Sequence, residues 1–209
     1  SPRAVIFDND GTLADSLPPH VAFCRRVNEK HECGLALPAE GDVPAMRRIA
    51  AAPMDKFLLK AGFPPSLVPA LVEEYESSFA AHHPVRPFPG VPDLISSLAS
   101  DGVPLAVVSS NTSANVRSAL GEQVSSKFKV IFGIDNSHRD KKESIRMALE
   151  ALGAATATYV GDTAKDRACA EAAGCDFVGV KYGFEDMAEA EAEGVRVAGS
   201  VEELGRMLR

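Results

Sequence analysis

The stretch Ala4-Val5-Ile6-Phe7-Asp8-Asn9-Asp10-Gly11-Thr12-Leu13 decides how the rest of this chain is interpreted. Its first four residues are apolar and rich in β-branched types, which predicts a short buried strand. Asp8 and Asp10 follow at once, so we expect them at the carboxyl end of that strand, where open α/β sheets bind ligands. Two like charges this close repel each other unless a cation lies between them. Mg²⁺ meets this need, because it takes oxygen ligands.

The order of the remaining patterns predicts an α/β fold with an inserted helical unit. From residue 87 onward, short apolar runs alternate with helical segments, as they do in βα units. The predicted strands are 104–108, 129–132, 158–160 and 177–180, and the predicted helices are 91–100, 112–120, 141–152, 164–173 and 200–208. Between residues 16 and 86 the pattern is helical only, with predicted helices at 20–30, 43–51, 53–61 and 66–82. We therefore expect a parallel-sheet core, residues 1–15 and 87–209, and a helical unit, residues 16–86.

Composition and charge disfavour several classes of partner. The formal net charge of −7 gives no support to nucleic acid or an anionic membrane, which call for clustered Lys and Arg. No apolar run approaches the ~20 residues that span a bilayer, and no signal-peptide pattern opens the chain. The chain has four cysteines, which are Cys24, Cys33, Cys169 and Cys175. They form no CxxC pair and lack the spacing of metal ligands. Reduced thiols fit the cytoplasm best. We expect a cytoplasmic protein, and its oligomeric state stays open.

A polar cluster follows the predicted strand 104–108. Ser109, Ser110 and Asn111 stand directly before the predicted helix at 112, and the backbone N–H groups at a helix N-terminus bind anions well. Ser, Asn and Thr are also favoured as helix caps. The cluster is therefore open to two interpretations, a phosphate-binding loop or a simple cap.

Charged residues open two further predicted helices. Asp162 follows Gly161 at the end of the strand 158–160, and Asp166 comes one helical turn later. Acidic residues at a helix N-terminus are also stabilised by the helix dipole alone. Lys141 and Lys142 begin the helix 141–152, where a positive charge is unfavourable with respect to the dipole. A lysine in this position indicates a functional role.

In combination, these motifs resemble those of the haloacid dehalogenase-like hydrolases. The matching residues are Asp8-x-Asp10-Gly11-Thr12, Ser109 after an apolar strand, a lysine at 141 or 142, and Gly161-Asp162-x-x-x-Asp166. The next residues, Leu13-Ala14-Asp15-Ser16, are similar to those at this position in one branch of the family, which holds phosphoglycolate phosphatases and β-phosphoglucomutases. The resemblance covers the whole chain, although the helical unit matches only in length and helical character. It implies a Rossmann-like core with a helical cap domain between the first and second motifs.

The resemblance also implies a reaction and a role for each site residue. The reaction is Mg²⁺-dependent hydrolysis of a small phosphorylated metabolite, such as phosphoglycolate or a sugar phosphate, through an aspartyl-phosphate. Asp8 would be the nucleophile and a metal ligand, and Asp10 the general acid/base, whose backbone carbonyl also binds the metal. Asp162 would be a direct metal ligand, with Asp166 behind it or bound through water. The implied phosphate-binding residues are Gly11, Thr12, Ser109, Ser110, Asn111 and Lys141.

The choice between the two lysines stays open. The chain lacks the common Lys-Pro form of this motif. Lys141 is favoured, because Ile145 then stands where the family's Lys-x-x-x-apolar variant puts its first core residue, and Lys142 is the alternative.

Other functions on the same fold are weighed against the phosphatase. A dehalogenase would have no need of Asp10. A phosphonate hydrolase needs a reactive cap lysine, and nothing marks Lys30, Lys56 or Lys60 as one. A sugar-phosphate mutase shares the aspartyl-phosphate, and a non-catalytic binding protein is the alternative from another class. Several basic residues of the helical unit could meet a substrate anion, although surface charge explains each more simply: His20, Arg25, Arg26, Arg47, Arg48 and Lys56.

Overall fold

The structure, a computed structural model, describes residues 3–138 and 140–209 of the chain. These residues fall into two compact units. The first unit runs up to Asp15 and continues as Arg86–Arg209, and the second is Ser16–Val85. In the described residues, no helix combines the length and the apolar character needed to cross a membrane.

The second unit is helical. Its helices are α1 (Leu17–Lys30), α2 (Val43–Ile49), α3 (Met54–Ala61) and α4 (Val68–His82), and residues 16–85, all of them described, contain no strand. Helix α1 begins three residues before the predicted residue 20. Its first turn contains Pro18 and Pro19, where the missing N–H of proline breaks no helical hydrogen bond. The interior is aromatic: the Tyr75 ring lies 5.4 Å from Phe23 and 4.5 Å from Phe79.

Six parallel strands form one sheet in the described part of the first unit, which confirms the predicted α/β class. They are β1 (Ala4–Phe7), β2 (Leu105–Val108), β3 (Val130–Phe132), β4 (Ala157–Gly161), β5 (Asp176–Val180) and β6 (Val197–Ala198). Their order is β3-β2-β1-β4-β5-β6. The strands that follow β1 first build one half of the sheet and then the other. The topological switch point therefore lies between β1 and β4, and ligands bind at such points.

Helices cover both faces of this sheet. They are α5 (Val91–Ser100), α6 (Ser113–Ser125), α7 (Lys141–Leu152), α8 (Ala164–Ala172), α9 (Ala188–Ala192) and α10 (Val201–Met207). Val5 and Phe7 of β1 share a core with α5, α6 and α10, while Ala4 and Ile6 share the other core with α7, α8 and α9. This double burial explains why β1 is apolar throughout, since a central parallel strand has no solvated face.

The structure differs from the predicted elements in short segments. Helix α6 continues to Ser125, five residues beyond its predicted end, across a break at Gly121 (φ 76°, ψ 162°). Neither α9 nor β6 is predicted from the sequence. Helix α9 alternates Ala with Glu and β6 has two residues, so neither segment is long enough to show a helical or strand period.

Candidate active site

The carboxyl ends of β1 and β4 bring three buried carboxylates together at the switch point. Asp8 follows β1, Asp162 follows β4, and Asp166 lies in the first turn of α8. One carboxylate oxygen of each lies within 4.8 Å of the other two. The three residues are only 7%, 0% and 1% exposed, respectively. Two motifs that are far apart in the sequence therefore meet in one buried cluster.

The turn after β1 directs a hydroxyl group onto this cluster. The carbonyl of Asn9 accepts hydrogen bonds from the N–H groups of residues 12–14, and Gly11 takes a φ of 77°, which glycine adopts without steric cost. This turn places Thr12 so that its Oγ1 donates to Asp162 Oδ1 at 2.9 Å. In this structure the Thr12 hydroxyl, an expected phosphate ligand, holds a carboxylate.

The two candidate lysines lie in different environments. Lys141 is 8% exposed, and its Nζ lies 3.2 Å from Asp8 Oδ1 and 2.6 Å from Asp166 Oδ1. The Lys142 side chain is 33% exposed, and its Nζ lies 3.4 Å from Glu143 Oε1. The structure therefore brings Lys141 into the carboxylate cluster and leaves Lys142 among charged groups at the surface.

Asp166 is held in place by a capping box at the start of α8. Its Oδ2 accepts hydrogen bonds from the Thr163 hydroxyl at 2.9 Å and from the backbone N–H groups of Asp162 and Thr163 at 3.2 Å. Its own N–H donates back to Thr163 Oγ1 at 3.1 Å. With the Lys141 ammonium on its other oxygen, Asp166 is fixed on both sides, and it in turn orients Lys141 toward Asp8.

Crowding in the cluster shifts the pKa values of its members. Burial, the neighbouring Asp166 and the other carboxylates raise the pKa of Asp8 well above its usual range, against the opposing effect of Lys141. Burial and Asp166 raise the pKa of Asp162 to about 7. Burial alone would also raise the pKa of Asp166, but the Lys141 ammonium and its hydrogen bond lower it below the ordinary value. The shifts on Asp8 and Asp162 show that the cluster favours added positive charge.

The polar cluster after β2 lies beside Asp10. Asn111 Nδ2 donates to Asp10 Oδ2 at 3.2 Å, and the Asn111 N–H donates to Oγ of the buried Ser109 at 3.0 Å. Ser110 is partly buried. The cap of α6 is Thr112, whose hydroxyl accepts from the Asn115 N–H at 3.2 Å. Asn111 also takes part in the start of this helix, since its Oδ1 accepts from the Thr112 N–H at 2.8 Å and from Asn115 Nδ2 at 3.0 Å.

One part of this site, the segment 181–184 after β5, was not predicted from the sequence. The N–H of Phe184 donates to Asp162 Oδ2 at 2.6 Å. This contact is made by the backbone of Phe184, so the side chains of the segment do not signal it. Gly183 is the single sequence feature that points to close packing there.

The donor set fits a hard divalent cation. Asp8, Asp162 and Asp166 offer carboxylate oxygens, the ligand type that Mg²⁺ and Ca²⁺ prefer. A Cβ on Gly11 would stand 2.2 Å from Asp162 Oδ2, so glycine keeps the turn clear of this oxygen. Three buried carboxylates facing one buried lysine leave a negative charge that a divalent cation would offset.

Comparisons with known proteins identify the family of this chain. The family model of haloacid dehalogenase-like hydrolases matches residues 5–180. A phosphoglycolate phosphatase of Synechococcus elongatus is 31% identical over 187 residues, which cover 88% of this chain and 86% of the relative.

Solved structures show the same fold over the full length. A haloacid dehalogenase-like hydrolase of Streptococcus pneumoniae superposes with a TM-score of 0.82 at 21% identity, covering 100% of this chain and 99% of that one. Protein Tyrosine Kinase A of Mycobacterium tuberculosis superposes with a TM-score of 0.78 at 28% identity, covering 100% and 98%.

The chain belongs to the haloacid dehalogenase-like hydrolases, as its motifs predict. Within that family it is a phosphatase, a hydrolase of phosphoric monoester bonds.

Proposed function

We propose that this phosphatase hydrolyses a small phosphomonoester through an aspartyl-phosphate on Asp8, with Mg²⁺ as its metal. One observation carries the proposal: the buried cluster in which Lys141 Nζ lies 3.2 Å from Asp8 Oδ1 and 2.6 Å from Asp166 Oδ1. This contact keeps a buried carboxylate oriented and favours its ionised, nucleophilic form.

In the first step, an oxygen of Asp8 attacks phosphorus. A bond forms between that oxygen and phosphorus, and the bond from phosphorus to the leaving oxygen breaks. Asp10 gives its proton to the departing alkoxide, so the alcohol leaves neutral. Asn111 holds the carboxylate of Asp10 in place through the contact between Asn111 Nδ2 and Asp10 Oδ2 at 3.2 Å.

In the second step, water attacks the phosphorus of the aspartyl-phosphate. Asp10, now ionised, takes a proton from that water, and phosphate leaves as the bond to Asp8 breaks. Covalent catalysis of this kind replaces one difficult displacement by two easier ones. Lys141 and the polar groups at Ser109 and Asn111 would offset the charge on the phosphoryl oxygens, which is the main task in phosphoryl transfer.

Asp8, Asp162 and the backbone carbonyl of Asp10 would hold Mg²⁺, with Asp166 behind them. When bound, the cation supplies positive charge that opposes the charge on the phosphoryl oxygens. Asp162 is suited to this role because both of its oxygens are already oriented, by Thr12 Oγ1 and by the Phe184 N–H.

For the substrate, we propose phosphoglycolate or a sugar phosphate of similar size. The phosphoglycolate phosphatase relatives support the first of these, and the second unit, in the role of a cap, would select between them. The four free cysteines fit a reducing compartment, and a cytoplasmic location stays a prediction.

The test is phosphate release from a panel of phosphomonoesters, measured with Mg²⁺ and with excess chelator. We expect metal-dependent release from wild type, none from Asp8→Asn, and wild-type rates from Asp101→Asn, which makes the same substitution at an exposed position. Wild-type turnover by a folded Asp8→Asn protein would overturn the nucleophile assignment.

A wild type that releases phosphate from no ester would contradict the proposal and redirect the experiment. A phosphate that moves within a sugar would then indicate a mutase. Transfer from ATP to a tyrosine would indicate the activity for which the mycobacterial kinase is named.

A further inference from the structure

The segment that follows β5 contacts the carboxylate of Asp162 through its backbone. The Phe184 N–H donates to Asp162 Oδ2 at 2.6 Å, while the Thr12 hydroxyl donates to Oδ1 at 2.9 Å. Asp162 is 0% exposed, so each of these contacts is shielded from water. Hydrogen bonds to an ionised carboxylate are shorter and stronger than neutral ones. Together they fix the plane in which Asp162 presents its oxygens.

Gly183 lets this segment approach so closely. A Cβ at Gly183 would stand 2.1 Å from the carbonyl oxygen of Gly11, 2.4 Å from Asp162 Oδ2 and 2.6 Å from Asp162 Cβ. The first of these atoms belongs to the backbone of the turn that carries Asp10, and it cannot rotate away. The φ of Gly183 lies outside the left-handed range, so the requirement for glycine here is steric and concerns the Asp162 site directly.

Tyr182 attaches the same segment to the turn after β1. Its hydroxyl donates to the carbonyl oxygen of Thr12 at 3.4 Å, and its ring lies 4.8 Å from that of Phe88 in an edge-to-face arrangement. Phe184 is itself buried, at 4% exposure. The segment is therefore held in place by the packing of Tyr182 and Phe184 and by the hydrogen bond from Tyr182 to the turn that contains Thr12.

We propose that residues 182–184 are a positioning element for Asp162: the Phe184 N–H orients its carboxylate for Mg²⁺, and Gly183 permits the approach. This inference rests on the proposed function, since it takes Asp162 to be a metal ligand. Groups that orient metal ligands typically change metal affinity 10–100-fold when they are removed. The segment acts on the carboxylate of Asp162, and through it on metal affinity.

The direct test is the dissociation constant of Mg²⁺, measured by isothermal titration calorimetry in the absence of substrate. We expect Gly183→Ala to weaken Mg²⁺ binding about 10–100-fold. The matched control is Gly199→Ala, because a Cβ there would meet only the movable ends of Glu203 and Lys181, at 3.2 and 3.3 Å. Gly199→Ala is expected to keep the wild-type constant.

Steady-state kinetics distinguish an effect on the position of Asp162 from a general disturbance of the fold. In Gly183→Ala, activity should fall at low Mg²⁺ and recover toward the wild-type kcat as Mg²⁺ is raised. A folded Gly183→Ala protein with the wild-type dissociation constant would overturn the inference.

A second variant keeps the inference testable if Gly183→Ala does not fold. Tyr182→Phe preserves the ring against Phe88 and removes only the hydrogen bond to the Thr12 carbonyl. It should weaken Mg²⁺ binding about 2–10-fold, and an unchanged constant would count against the inference. Failure of wild type to bind Mg²⁺ at all would instead contradict the proposed function.

Discussion

At the scale of single residues, the chemistry of Asp8 depends on its contact with Lys141. A carboxylate attacks phosphorus only while it is ionised, and burial among other carboxylates opposes ionisation. The Lys141 ammonium, 3.2 Å from Asp8 Oδ1, favours the ionised form. The same charge would oppose the negative charge on the phosphoryl oxygens. Lys141 would therefore act on the nucleophile and on the group that it attacks.

We expect Lys141→Ala to lower kcat/KM by about 10²–10³-fold, since the loss of one group that stabilises developing charge has an effect of this size. Lys142→Ala removes a positive charge from the next position, where the side chain is 33% exposed, and should change kcat/KM by no more than about two-fold. Steady-state kinetics at saturating Mg²⁺ measures both, and circular dichroism checks that each variant is folded. Equal losses in the two variants would remove Lys141 from the mechanism.

The sequence favoured Lys141 but left Lys142 open, and the reason is physical. Adjacent residues on a helix point about 100° apart, so the choice depends on how α7 is rotated about its axis. Ile145, Ala148 and Leu149 set that rotation by packing against the sheet, and this turns Lys141 toward Asp8. The spacing from Lys141 to Ile145 carries the same information, but only once the buried face of α7 is known.

At the scale of elements, α1 and α4 are joined by charges around Glu74. The carboxylate of Glu74 lies 3.0 Å from Lys30 Nζ, 3.5 Å from Arg26 Nη2 and 3.5 Å from His31 Nε2. Burial alone would raise the pKa of Glu74, but the hydrogen bonds from Lys30 and His31 and the nearby positive charges lower it below its usual value. A depressed pKa means that the folded state stabilises the ionised carboxylate.

This shift predicts a pH-dependent effect of Glu74→Gln. A carboxyl group with a depressed folded pKa contributes stability above its unfolded pKa of about 4.3, and loses it as pH falls through the folded pKa. We expect Glu74→Gln to lower the free energy of unfolding at pH 7 by about 0.5–1 kcal/mol, because the pairs are partly exposed and screened. The difference from wild type should shrink as pH falls below about 4.

Urea unfolding at pH 7 and at low pH measures this effect. Glu76→Gln makes the same substitution at an exposed position of α4, and it should leave the unfolding free energy unchanged at both pH values. A Glu74→Gln penalty that stays constant with pH would show that the charge of Glu74 is not its cause.

Helices and strands long enough to show a regular apolar pattern could be predicted from the sequence. Contacts made by backbone groups could not. The helix 141–152 has its predicted bounds, because an N-cap Asp140, a periodic apolar face and Gly153 mark it from end to end. In residues 182–184, Phe184 contributes its backbone N–H group, and Gly183 permits the close approach because it has no side chain. Sequence motifs consist of reactive, charged or metal-binding side chains. This part of the site therefore becomes visible only when β5 is placed beside β4.

At the scale of the whole first unit, the fold brings carboxylates from three different elements into one buried cluster. Asp8 comes from β1, Asp162 from β4 and Asp166 from α8, and Lys141 of α7 is the positive group that contacts two of them. Burying one charge without a partner destabilises a fold by several kcal/mol. We therefore expect a cation bound among these carboxylates to stabilise the fold.

This stabilisation predicts that Mg²⁺ raises the melting temperature. At a Mg²⁺ concentration 100-fold above the dissociation constant, binding to the folded state adds about 2.7 kcal/mol. For a chain of this size each kcal/mol corresponds to about 2–4 °C, so we expect a rise of about 5–10 °C. Differential scanning calorimetry with Mg²⁺, and with NaCl at equal ionic strength, separates binding from screening. An identical midpoint in both salts would contradict a metal site at Asp8 and Asp162.

Asp162→Asn sharpens this prediction, because it should move stability in two opposite directions. Without Mg²⁺ the variant should melt above wild type. Burial and Asp166 raise the pKa of Asp162 to about 7 and so disfavour its ionised form, and the amide carries no charge. With Mg²⁺ it should melt below wild type, since the cation loses a ligand. Asp101→Asn, at an exposed position, should follow wild type in both conditions. A variant that only damages packing would melt below wild type both with and without Mg²⁺. If the variant melts above wild type without Mg²⁺ and below it with Mg²⁺, the ionised Asp162 carboxylate destabilises the metal-free fold and binds the metal.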